Sequence, residues 1–101
     1  MVKHIILWTL NPELTEEEKA TVKQGIKSGL EGLKGKVPGL VDIKVSIDGR
    51  LPSSNCDVML DCTLESPEAL EVYATHPEHV AVACSKVRPY AVQRTCLDFE
   101  E

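Results

Sequence analysis

The sequence predicts an α+β domain of order β-α-β-β-α-β. Three observations lead there. Three stretches, from Val2, Val41 and Val58, carry apolar residues at the two-residue spacing of a strand. Two segments open on helix-start signals, Thr15-Glu16-Glu17-Glu18 and Ser66-Pro67. Proline and glycine stand at the joins, at Pro12, Pro38-Gly39 and Pro89.

Val2 to Leu10 reads as the first strand. His4, Ile6, Trp8 and Leu10 share one face, and Lys3, Ile5, Leu7 and Thr9 the other. Both faces are largely apolar, so this strand is expected to be central and covered on both sides. Asn11-Pro12 ends it. Thr15 then caps a helix, with Glu18 at the third position closing a capping box. That helix is expected to run to about Leu33, with Val22, Ile26, Leu30 and Leu33 inward. Gly25 and Gly29 lie on the same stripe. Each costs a helix roughly 1 kcal/mol against alanine, so either the helix closely approaches the sheet or a ligand occupies the space.

After the connector Lys34 to Gly39, the residues Val41, Ile43, Val45 and Ile47 alternate with polar ones, as a half-exposed strand near a sheet edge does. Asp48 to Asn55 reads as a polar loop and Cys56 to Leu64 as the third strand. Ser66 caps the second helix, with Pro67 at its first position. Its inner stripe is Ala69, Leu70, Tyr73 and Ala74. Pro77 stops that helix near His76 and starts a shorter one, with His76 as its N-cap. Arg88-Pro89 ends the short helix, and Ala91 to Phe99 is the last strand. This order is the ferredoxin-like split unit, a four-stranded antiparallel sheet with helices on one face. The other face would be bare, and a symmetric dimer packing sheet against sheet would cover it.

At 101 residues the chain is read as one domain, 1–101. A net charge of −5 argues against nucleic acid or an anionic membrane as partner. No apolar run approaches the ~20 residues that span a bilayer, and the start lacks a signal-peptide pattern. A cytoplasmic protein is expected. None of the four cysteines forms a CxxC pair, which leaves zinc-knuckle and thioredoxin readings without support. They are expected to be reduced, small and buried. No glycine-rich phosphate loop is present, so no cofactor is implied.

The polar residues gather at Tyr73-Ala74-Thr75-His76-Pro77-Glu78-His79, which holds two of the three histidines and one of the two tyrosines. His79 falls in the first turn of the short helix, where the dipole favours neutral imidazole, the form a general base needs. Tyr73 would donate to a developing oxyanion. His4, beside Ile6 and Trp8, would orient the substrate or His79. Three histidines could also hold zinc, but His76 and His79 straddle a corner and need not converge.

Val2-Lys3-His4-Ile5-Ile6-Leu7, the connector Leu33 to Gly39, the helix Ser66 to Tyr73, the corner His76-Pro77-Glu78-His79-Val80 and the closing Leu97-Asp98-Phe99 form a further pattern. Together they resemble the stress-responsive dimeric α/β-barrel (Dabb) family. It implies a homodimeric barrel with a small-molecule pocket between helices and sheet in each subunit. Most members have no established activity. A plant member is a polyketide cyclase working by intramolecular aldol chemistry, whose base and assisting tyrosine match His79 and Tyr73. Its pocket histidines match His4 and His76, and the family places Asp98 near the rim. With Trp8, these make His4, His76, Trp8 and Asp98 the candidate substrate-binding set. The chain departs from the cyclase at Val22, Gly25 and Ile26, where the cyclase has aromatic pocket residues.

Overall fold

The computed structural model describes residues 1–101. Its elements are β1 (Val2–Leu10), α1 (Glu16–Glu31), β2 (Leu40–Ser46), β3 (Val58–Leu64), α2 (Pro67–Thr75), α3 (Pro77–Val82), a π-helical turn (Ala83–Val87) and β4 (Ala91–Glu100). The strands form one antiparallel sheet in the order β2-β3-β1-β4. This is the ferredoxin-like fold, with β1 central. His4, Ile6, Trp8 and Leu10 are buried towards the helices, while Lys3, Ile5, Leu7 and Thr9 are half-buried on the other side. The core joins that inner face to Ile26, Leu30 and Leu33 and to Ala69, Tyr73 and Val87.

The start of α1 is a full capping box: Glu18 N–H donates to Thr15 Oγ1 at 3.1 Å, and Thr15 N–H to Glu18 Oε1 at 2.9 Å. The helix stops at Glu31, two residues before the expected end. There Gly32 N–H reaches Ser28 O at 3.1 Å and Leu33 N–H turns back to Leu30 O at 3.0 Å, tightening the last turn. Glu31 then fastens α1 to β2. Its Oε2 accepts Val45 N–H and Lys27 Nζ–H, both at 2.9 Å.

The third strand begins at Val58, not Cys56. Asp57 replaces the ladder there, its Oδ2 accepting Leu10 N–H at 2.8 Å while its own N–H donates to Trp8 O at 2.8 Å. Cys56 therefore shares no strand with Cys62. Only Cys62 is buried; Cys56 is half-buried, and Cys84 and Cys96 are exposed, against the expectation that all are core residues. All four are free thiols.

The glycine stripe on α1 faces helices, not the sheet. A Cβ at Gly29 would lie 2.8 Å from Val82 Cγ1, and one at Gly25 3.7 Å from Lys86 Cδ. The two glycines let α1 close on α3 and the π turn. Gly39, at φ +82°, has a different reason: a side chain there would be strained and would meet Ala69 Cβ at 2.6 Å.

The sheet face away from the helices is uncovered within the subunit. Ile5 lies beside Leu97, and Leu7 beside Met59. Leu97 is 62% exposed and Phe99 40%. Beside this apolar patch Lys3 Nζ pairs with Asp61 Oδ1 at 2.5 Å.

Candidate functional site

Between β1 and the helices lies a cavity of about 410 Å³. Four inward positions on β1 and β3 supply its floor: His4, Ile6, Trp8 and Leu60. Leu30 of α1 and Val87 of the π turn supply apolar walls, and Tyr73, His79, Arg88 and Arg94 its polar groups. Each polar residue arrives by a local rule. His4 is even-numbered on β1 and so faces inward with Ile6 and Trp8. Tyr73 is on the buried stripe of α2, four residues after Ala69. Pro77 ends α2 and starts α3, which turns His79 back under Tyr73.

The three rings stack in sequence. His4 and Tyr73 centroids are 5.8 Å apart, edge to face, and those of Tyr73 and His79 are 4.3 Å apart. His79 Nδ1 is 3.2 Å from Ala74 O. A carbonyl only accepts, so Nδ1 carries the proton and Nε2 holds the free lone pair. Burial keeps this imidazole from its charged form, pushing its pKa below the ordinary 6.5. The bond to Ala74 opposes the shift, and the charges of His4, Arg88 and Arg94 add to it. Neutrality thus comes from burial foremost, where the sequence suggested the helix dipole.

Tyr73 is 1% exposed, and its hydroxyl has no hydrogen-bond partner. Burial pushes its pKa well above the ordinary 10, so it remains a donor across the neutral range. His4 Nδ1 donates to Asp98 Oδ1 across the β1–β4 ladder, where the two residues are register partners. With Nδ1 so committed, Nε2 is the ring nitrogen left for a ligand.

His4, Trp8, Tyr73 and His79 therefore line one cavity. Asp98 stands behind His4 and is not on the wall. His76 is apart from them: its Nδ1 accepts Glu78 N–H at 3.1 Å as the N-cap of α3. Gly25 and Gly29 do not line the cavity, and from α1 only Leu30 does. Neither do Val22 and Ile26, the other positions of α1 where the sequence departs from the cyclase. His4, Cys96 and Asp98 bring three possible metal-ligand atoms within 4.8 Å of one another; the expected alternative set of three histidines does not form, because His76 is committed to its cap.

Sequence reasoning missed the arginines. Arg94 was within reach, because it shares a strand face with Cys96 and Asp98 by simple alternation. Arg88 carried no such signal, since its direction depends on the π turn before it.

The family model for the Stress responsive A/B Barrel Domain matches residues 2–101. The chain belongs to this family. Among solved structures, a dimeric protein of unknown function with a ferredoxin-like fold from Bacteroides fragilis superposes with TM-score 0.92 at 31% identity, over 99% of this chain and 95% of that one. A dimeric ferredoxin-like protein of unknown function from Thermobifida fusca gives 0.79 at 22% identity, over 99% and 90%. A hydroxynitrile lyase from Passiflora edulis gives 0.71 at 14% identity, over 97% and 90%. No curated protein matches the sequence. No helix of this Dabb domain is long and apolar enough to cross a membrane.

Proposed function

We propose that this Dabb protein is a homodimer whose subunits each bind a small molecule in the cavity beneath α2 and α3. One observation carries the reading: the Tyr73 hydroxyl is buried on the cavity wall and unpartnered. A buried hydroxyl left unpaired costs about 1–3 kcal/mol, and a ligand oxygen would supply its partner. The dimer reading rests on the apolar open sheet face and on the dimeric Bacteroides relative. The net charge of −5 speaks against nucleic acid or an anionic membrane as partner, and we propose the cytoplasm as its compartment.

A second reading, catalysis, is favoured by the fixed tautomer of His79. A neutral ring with a free Nε2, beside a phenol donor, is equipped to enolise a small carbonyl compound. Nε2 takes the α-proton, the C–H electron pair becomes the carbon–carbon double bond, the carbonyl π pair moves onto oxygen, and Tyr73 O–H stabilises the enolate. His4, held by Asp98, orients the substrate. A hydroxynitrile lyase on the same fold offers an analogy for carbonyl chemistry, and the residues carry the argument.

Trp8 is the single tryptophan and lines the cavity, so its fluorescence reports occupancy. Acetophenone should change that signal saturably in the wild type and bind several-fold more weakly to Tyr73→Phe. No saturable change with any of a panel of aromatic ketones would remove the binding reading. Exchange of acetophenone methyl protons in D₂O, followed by NMR, tests catalysis: His79→Ala should abolish it in a protein that stays folded. Wild-type exchange no faster than buffer would leave binding alone.

A further inference from the structure

We infer that the ligand of this cavity carries an anionic head group, a carboxylate or a phosphate monoester, on an apolar body, and that Arg88 and Arg94 clamp the head group. The inference rests on the reading of the cavity as a ligand site and adds the class of ligand.

The chain has three arginines and sixteen acidic residues. Arg50 is used within its own loop, bonded to Cys56 O at 2.8 Å and Ser54 O at 2.9 Å and paired with Asp57 at 3.4 Å. The other two line the cavity, and neither forms an ion pair. Arg88 has only a bond to Cys84 Sγ, at 3.3 Å. No aspartate or glutamate stands on the cavity wall. Asp98, which is not on the wall, is bound to His4. An acidic protein thus presents two unpaired guanidinium groups to a cavity without a counter-charge.

The two arginines reach one opening from different elements. Arg88 follows the π turn, and Arg94 sits opposite Trp8 on the β1–β4 ladder. They also border together a smaller cleft beside Trp8. Both line the same cavity as His79. Guanidinium groups match carboxylate and phosphate oxygens in planar, bidentate fashion. Deeper in, Ile6, Leu30 and Leu60 accept an apolar body, and the orphan Tyr73 hydroxyl is left for a further oxygen of the ligand.

The test uses benzoate, phenyl phosphate and benzyl alcohol as probes, with the full-length protein, its Arg88→Gln and Arg94→Gln variants and the double variant. Trp8 fluorescence and calorimetry give the affinities. Both arginines are exposed, so the variants are expected to fold, which circular dichroism checks. At least one anion should bind tenfold or more tighter than benzyl alcohol. Each Arg→Gln should weaken that anion by about tenfold, the usual scale of a charge-assisted contact, and leave benzyl alcohol unchanged. Preference for benzoate would assign the carboxylate, and preference for phenyl phosphate the phosphate; either supports the inference. Benzyl alcohol binding as tightly as both anions, with the double variant indistinguishable from wild type, would overturn it while the cavity reading stands. Binding of none of the three at millimolar concentration would overturn both.

Discussion

Two alanine substitutions four residues apart on one helix should act in opposite directions. At Gly25 an added Cβ meets Lys86 Cδ at 3.7 Å, an ordinary contact with a flexible chain. At Gly29 it meets Val82 Cγ1 at 2.8 Å, about 0.6 Å inside the shortest comfortable separation. Both changes gain helix propensity, about 0.8–1 kcal/mol each. Only Gly29→Ala also overpacks the α1–α3 contact, which costs typically 1–3 kcal/mol. Valine has one favoured rotamer in a helix, so Val82 cannot rotate away cheaply. Gly25→Ala should therefore stabilise by about 0.5–1 kcal/mol and Gly29→Ala destabilise by about 1 kcal/mol. At a urea slope of about 1–3 kcal/mol/M, that separates their midpoints by roughly 1 M. Both should be unfolded in urea at equal protein concentration, because the proposed dimer would couple stability to concentration. Adding Val82→Ala should recover part of the Gly29→Ala loss, a coupling read by a double-mutant cycle. Gly29→Ala with a midpoint at or above that of Gly25→Ala would refute the account of the glycine stripe as a helix–helix contact.

Removing the Glu31 carboxylate should loosen the α1–β2 join. The backbone bond from Val45 and the bond from Lys27 hold its carboxyl below the usual range, so its contribution is present above about pH 4.5 and fades as pH falls through the lowered pKa. Glu31→Ala should cost about 1–2 kcal/mol at pH 7 and flatten the acid limb of the stability curve; an unchanged acid limb would contradict the assignment. His79 acts through the opposite chemistry. Its folded pKa is depressed by burial, so below about pH 6.5 the unfolded chain binds the proton first and folding weakens until the folded pKa is passed. His79→Gln should lower the loss of urea midpoint between pH 7 and pH 5. Among the thiols, burial pushes Cys62 up to about 12, whereas Cys84 is exposed. Iodoacetamide at pH 8 should label Cys84 in the native protein and reach Cys62 only in denaturant, as peptide mass mapping would report.

Elements with local signals were legible in the sequence. The capping box at Thr15, Pro67 behind Ser66 and the His76-Pro77 corner each bind their own backbone within a few residues, so the residues alone locate them. The inward face of β1 comes from alternation, which sets His4 beside Ile6 and Trp8. The features that the sequence could not place depend on distant partners. The start of β3 is decided by Asp57 reaching Leu10 across the sheet. The glycine stripe is decided by Val82, which lies on another helix. His76 has the same chemistry as His79, and only the cap geometry separates their uses. Cys96 alternates into an inward position, yet β4 is an edge strand that the helices do not cover, so alternation alone does not bury it.

The π turn at Ala83–Val87 closes with Arg88 N–H on Ala83 O at 2.9 Å, one residue wider than an α-turn. An α-helix advances by about 100° per residue. Deleting a single residue from this turn would restore α-geometry and swing the chain on its C-terminal side by about that angle. Val87 would leave the apolar wall, and Arg88 would leave the mouth. The residues this cavity offers to a ligand are thus set by the length of the segment as well as by its side chains.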